Sequence, residues 1–166
     1  MQFTQGLVAL FFLVAPALCA PTEGNLVSAA DALAARDTTV TCRPMTNHSP
    51  TRNFRVSVDN AKSQARAVKF KTGRSDYPHR FGNMEHIHWG VRQCDEAKAD
   101  LEEYPVFWSG SRQREWRADD KKSDQEKTPI RVMYANARGT VVYCGIVTHD
   151  TVGSDYAGSG NFSKCT

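Results

Sequence analysis

Apolar positions in this chain come in short runs whose period changes along its length. Val40–Cys42 and Phe54–Val58 are brief β-branched and aromatic runs separated by a loop containing Pro44, Asn47 and Pro50, and they predict two strands. The period then changes. Ala61, Ala65 and Val68 share one face of a helix over roughly Asn60–Val68, with Asp59 as its N-cap. Lys71–Asp76 breaks regular structure. Four later runs, Ile87–Val91, Leu101–Trp108, Ile130–Tyr134 and Val141–Thr148, again predict strands, and no second helix is expected. If the last strand runs one residue further, His149 shares a face with Tyr143 and Val147. Gly110–Thr128 holds six basic and five acidic residues, with Trp116 its one large apolar residue, and predicts a long solvated loop. Thr151–Asn161 is Gly- and Ser-rich and predicts another loop. One helix followed by several strands predicts an α+β fold: a helix packed on a twisted antiparallel sheet, with an N-terminal β-hairpin and long loops.

A length of 166 residues suits one domain. Leu7–Val14 is an uninterrupted apolar run followed by small residues, so residues 1–20 predict a secretory signal, although no Lys or Arg precedes the run. The run is too short to span a bilayer. Residues 21–36 are Ala-rich and end at Arg36, which suggests a pro-segment; the alternative is a frayed helix that stays attached. Residues 37–166 form the expected domain. Cys19 would leave with the signal, so Cys42, Cys94, Cys144 and Cys165 predict two disulfides, with three pairings open. No Cys-x-x-Cys pair points to zinc or redox chemistry. From residue 37 onward 20 Lys and Arg face 16 Asp and Glu, a mildly basic balance that permits binding to a polyanion without establishing it.

Cutting RNA without a metal needs a base for the ribose 2′-hydroxyl, an acid for the departing 5′-oxygen and positive charge for the phosphate. Glu103, His149, His79 and Arg131 supply these groups from predicted strands and loops, but their types alone do not bring them together. His86 and His88 would share a strand face and could ligate a metal; no third ligand is near, and neither metal nor cofactor is expected. Trp89 and Trp108 predict core positions. Trp116 suits a loop anchor better than a base platform or a membrane wedge. Lys121 and Lys122 could touch RNA phosphates, or simply form a solvated charge run. Asn47 and Asn161 open N-glycosylation sequons, and a glycan on Asn161 would crowd Phe162.

Several words of the chain resemble a known family. Tyr77-Pro78-His79, Glu103-Tyr104-Pro105, Arg131-Val132-Met133-Tyr134, Val147-Thr148-His149 and Asn161-Phe162-Ser163-Lys164-Cys165 follow the order of fungal guanyl-specific ribonucleases. Lys71-Thr72-Gly73, Cys94-Asp95 and Tyr143-Cys144-Gly145-Ile146 are similar to the α-sarcin group of ribotoxins. Val40-Thr41-Cys42-Arg43-Pro44, His88-Trp89-Gly90-Val91 and Thr128-Pro129-Ile130-Arg131-Val132 resemble the hirsutellin type. The resemblance implies the microbial ribonuclease fold. It also implies Glu103 as general base, His149 as general acid, His79 and Arg131 on the phosphate, Tyr77 as a hydrogen-bond donor, and Phe162 packed against the site. It implies disulfides Cys42–Cys165 and Cys94–Cys144. The loop Phe81-Gly82-Asn83-Met84-Glu85 would meet the base, with Glu85 reading guanine or standing as a solvated carboxylate.

The implied protein is a secreted monomer that crosses an anionic membrane surface and acts in the cytosol of target cells. There it would cut the sarcin–ricin loop of large-subunit rRNA once, after a guanosine, through a 2′,3′-cyclic phosphate. Two departures bear on specificity: Tyr77 stands where hirsutellin has an acidic residue, and the 81–85 loop is not the Asn- and Tyr-rich loop of simple guanyl ribonucleases. A general secreted ribonuclease and an inactive RNA- or protein-binding relative are the alternatives.

Overall fold

Ser57 is where strand gives way to helix. Its Oγ accepts the Asn60 backbone N–H at 3.0 Å, and helix α1 spans Val58–Val68. The cap is therefore Ser57 and not Asp59. Asp59 instead lies in the first turn, where a negative charge meets the positive end of the helix dipole. Val58, Ala61, Gln64 and Ala65 form the buried stripe of α1.

The computed structural model describes residues 37–166; the predicted signal and pro-segment lie outside the described residues. Strands β1 (Thr39–Cys42) and β3 (Phe54–Ser57) pair antiparallel as the expected N-terminal hairpin. The main sheet contains β2 (Thr46–Asn47), β4 (His79–Arg80), β5 (Leu101–Pro105), β6 (Ile130–Ala137), β7 (Thr140–Val152) and β8 (Gly158–Lys164). Its spatial order is β4-β5-β6-β7-β8, all antiparallel, and short β2 joins the end of β7 in parallel. One sheet face packs on α1 through Tyr104, Val132, Tyr134 and Ile146, and Val56 of β3 joins the same cluster. The other carries a second cluster, Phe81, Trp89, Cys94, Leu101, Met133, Cys144 and Val147. Disulfides join Cys42 to Cys165 and Cys94 to Cys144.

Four expectations are corrected. Ile87–Val91 is not a strand: the N–H groups of Trp89, Gly90 and Val91 all donate to the Asp95 carboxylate, and Gly90 turns the chain at φ 73°. That also removes the strand face expected to hold His86 and His88. A one-turn helix, α2 (Arg92–Asp95), follows where none was expected. The Gly- and Ser-rich segment after Thr151 does not stay a loop, because β7 runs on to Val152 and Gly158–Lys164 returns beside it as β8. Finally, β5 ends at Pro105 instead of continuing to Trp108.

Gly110–Thr128 is irregular apart from a 3₁₀ turn at Lys122–Asp124, as expected, but it is not merely solvated. Trp116 is buried against Phe107 and Tyr77, and its carbonyl accepts the Tyr104 hydroxyl at 2.8 Å. This is the anchoring role, and burial removes the base-platform and membrane-wedge readings. A Cβ on Gly73 would meet the Ala118 carbonyl oxygen at 2.3 Å, so glycine there lets the loop lie flat on the body. Trp89 and Trp108 are core residues.

Candidate active site

Strand pairing sets which side chains share a face, because directly paired residues point the same way. His79 pairs with Glu103, and Glu103 with Met133. Two residues along β6 from Met133 is Arg131, which pairs with Val147; two residues along β7 from Val147 is His149, which pairs with Phe162. His79, Glu103, Arg131, His149 and Phe162 therefore lie on one face, running diagonally across five neighbouring strands. Tyr143 does not share that face with His149. The register shifts at Met133/Tyr134, where Cys144 is the extra residue, and Tyr143 falls into the α1 cluster beneath the Lys62 ammonium.

Glu103 and Arg131 are each only 8% exposed. One carboxylate oxygen of Glu103, Oε1, hydrogen-bonds His79 Nε2; the other, Oε2, has no partner among the described residues. The bond to Glu103 is the main reason that the His79 pKa is raised, against an opposing effect of burial. Arg131 donates to the Thr128 and Ile130 carbonyls at 2.8 and 2.9 Å and to the Tyr77 hydroxyl at 3.1 Å, while its Nε has no partner among the described residues. A buried polar group without a partner is costly, and such groups concentrate at functional sites. Tyr77 is fully enclosed, edge-on to the His79 ring at 4.6 Å between centroids.

His149 Nδ1 lies 3.2 Å from the Gly160 carbonyl oxygen. A carbonyl only accepts, so Nδ1 carries hydrogen and Nε2 is the atom that gains or loses a proton. Burial lowers the His149 pKa first and the Arg131 charge lowers it further, whereas the Gly160 bond, Glu103 and Asp150 raise it. The net direction is down. Sequence reasoning missed Gly160, whose carbonyl fixes this tautomer; the only signal was a glycine two residues before Phe162. Phe162 packs on the imidazole at 4.0 Å between centroids and on Phe81 at 5.8 Å.

The loop residues are placed less openly. Phe81 is buried. Asn83 spends both side-chain atoms on the Ile87 backbone, holding its own loop. Glu85 accepts the Phe162 backbone N–H at 3.2 Å, so one oxygen already ties this loop to β8. Lys121 and Lys122 are exposed, and Lys122 Nζ stands 5.4 Å from the centre of the Tyr77 ring. His88 pairs with Asp95 at 3.2 Å, and the three N–H donors that meet Asp95 hold its carboxyl below the usual range.

A carboxylate beside an imidazole of raised pKa, a buried guanidinium and a second imidazole of depressed pKa can exchange protons on either side of a bound phosphate. Comparisons with known proteins identify the family. The ribonuclease family profile matches residues 43–166. The chain belongs to the ribonuclease family. Hirsutellin A from Hirsutella thompsonii is 46% identical, with a TM-score of 0.66 over 77% of this chain and 98% of its own. Restrictocin, a highly specific ribotoxin from Aspergillus, is 25% identical, with a TM-score of 0.59 over 78% of this chain and 99% of its own. These similarities put the chain with the fungal ribotoxins. No curated protein sequence matches it. The helix-on-sheet architecture and both disulfides are those that the ribotoxin resemblance implied.

Proposed function

We propose that this ribonuclease is a secreted ribotoxin that cuts RNA without a metal, using Glu103 as base and His149 as acid. The observation that carries the reading is the diagonal of His79, Glu103, Arg131 and His149 on one sheet face, with the Glu103 Oε2 and Arg131 Nε atoms both unspent. Glu103 takes the proton of the ribose 2′-hydroxyl, and the 2′-oxygen attacks the adjacent phosphorus. The bond to the 5′-oxygen breaks as His149 Nε2 delivers its proton there. Arg131 and the His79 imidazolium meet the charge that gathers on the phosphate oxygens, and Tyr77 holds Arg131 in place. A 2′,3′-cyclic phosphate and a free 5′-hydroxyl result.

The substrate in this reading is the sarcin–ricin loop of large-subunit rRNA, cut once after a guanosine. Glu85 and its neighbours Phe81 and Asn83 stand beside the base, and Lys121 and Lys122 lie along the backbone. Likeness to a highly specific ribotoxin supports a single cut over broad digestion. Residues 1–20 serve as the export signal and 21–36 as a pro-segment. The two disulfides fit an oxidising compartment. The protein acts as a monomer, and its mildly basic surface meets anionic lipid on the way to the cytosol.

Intact ribosomes treated with the protein should release one discrete 3′ rRNA fragment. A ladder on ribosomes matching that on naked RNA would indicate a general ribonuclease, and no cut on either would indicate an inactive binder.

A further inference from the structure

His149 lies against Gly158, the first residue of β8. A Cβ built on Gly158 would stand 2.3 Å from Cδ2, 2.7 Å from Cγ and 2.9 Å from Cβ of His149. Non-bonded carbons do not approach that closely, and the optimum is about 3.5–4.0 Å. Two of the three atoms belong to the base of the ring and the third is the Cβ that roots it, so a small bend of the ring tip gives no relief. The imidazole would have to swing about χ1 and β8 would have to shift slightly as well, because that rotation leaves the His149 Cβ, at 2.9 Å, where it is.

Backbone geometry does not demand a glycine here. Gly158 lies outside the left-handed region, unlike Gly160 at φ +77°, where an added Cβ would meet nothing closer than 3.9 Å. Its φ is one that alanine can adopt; the His149 side chain, ring and Cβ together, is what forbids the methyl group. β8 supplies two further contacts to the same imidazole, the Gly160 carbonyl on Nδ1 and the Phe162 ring. A ring pushed off Gly158 leaves both.

We propose that Gly158 is a positioning residue for His149: its bare backbone is the seat that holds the imidazole with Nδ1 on the Gly160 carbonyl and Nε2 free to transfer the proton. This rests on the assignment of His149 as the acid. Gly158 itself touches neither substrate nor a reacting atom.

The test compares wild type, Gly158→Ala, His149→Gln and the double variant, with Ser159→Ala as a control in the same strand. Each is measured for kcat and KM on a guanylyl dinucleotide, for its thermal midpoint, and for the pH titration of the His149 ring protons by NMR. Gly158→Ala should lower kcat at least tenfold with KM nearly unchanged, shift the His149 titration toward that of a solvent-exposed imidazole, and keep a thermal midpoint within a few degrees of wild type. It should cost nothing further in the His149→Gln background, and Ser159→Ala should match wild type in every readout.

Equal losses with and without His149, or a collapsed thermal midpoint, would make Gly158 a purely structural residue and overturn the proposal. An unmoved ring titration would do the same. If His149→Gln alone leaves the rate intact, the acid assignment fails, while the ring titration of Gly158→Ala still decides whether Gly158 seats the imidazole.

Discussion

The two faces of the main sheet are made from the same strands, β5, β6 and β7, yet they carry different residues. On the α1 face Tyr104, Val132, Tyr134 and Ile146 close against the helix, and the two phenols donate to backbone carbonyls, Tyr134 to Lys69 at 2.6 Å and Tyr104 to Trp116 at 2.8 Å. Burial holds the Tyr104 pKa up at about 12 and drives that of Tyr134 higher still, so both stay neutral donors. On the opposite face, an odd number of residues along each strand, stand Glu103, Arg131 and His149, two of them with a buried polar atom that has no partner among the described residues. Alternation along a strand thus lets neighbouring residues serve stability and chemistry separately. The site face is costly to fold, and the α1 face offsets that cost.

The contrast can be broken from either side. Glu103→Gln should lower the rate of RNA cleavage by about 10²–10⁴-fold, since it removes the base, while the unfolding midpoint moves little. Ile146→Ala on the α1 face should do the reverse, losing about 2–5 kcal/mol of stability in denaturant titration with kcat of the folded fraction unchanged. Equal effects of both variants on both readouts would deny that the faces are separate. Replacing Cys94 and Cys144 together by alanine should cost about 2–5 kcal/mol, because that bond pins α2 to β7 beneath Trp89.

Smaller effects sharpen the picture. Tyr77→Phe takes one hydrogen bond from Arg131 and should reduce kcat about five- to tenfold, consistent with roughly 1 kcal/mol for such a bond. The His79–Glu103 pair has a definite sign with pH. The His79 pKa is raised in the fold, so the pair's stabilisation is complete below about 6.5 and is lost as pH rises through the raised value. The small difference in thermal midpoint between wild type and Glu103→Gln should therefore shrink as pH rises through the raised His79 value. Lys122→Ala removes an exposed charge at the edge of the site and should chiefly weaken RNA binding, flattening its salt dependence by about one phosphate contact.

How much of this could be read from the chain depended on what each residue reports locally. The α1 period, the β6 and β7 runs and the hairpin were legible because apolar spacing follows secondary structure. Ile87–Val91 misled because its apolar residues pack under a loop whose N–H groups are capped by Asp95, a contact that no periodicity records. β8 was hidden because glycines and serines carry no strand signal, although register with β7 makes them a strand. The Tyr143 face was misread because one bulged residue inverts the alternation. Glu103, Arg131, His79 and His149 were legible as residue types and as family words, but their meeting on one face depends on pairings between distant strands. The Gly158 and Gly160 contacts to His149 exist only in three dimensions.

The most direct test of paired acid and base is the pH dependence of kcat/KM on a guanylyl dinucleotide for wild type, Glu103→Gln and His149→Gln. Wild type should give a bell whose falling limb lies below the ordinary imidazole value of about 6.5, because burial and Arg131 depress the His149 pKa. His149→Gln should lose that falling limb and Glu103→Gln the rising one. A bell that survives unchanged in either variant would contradict the account.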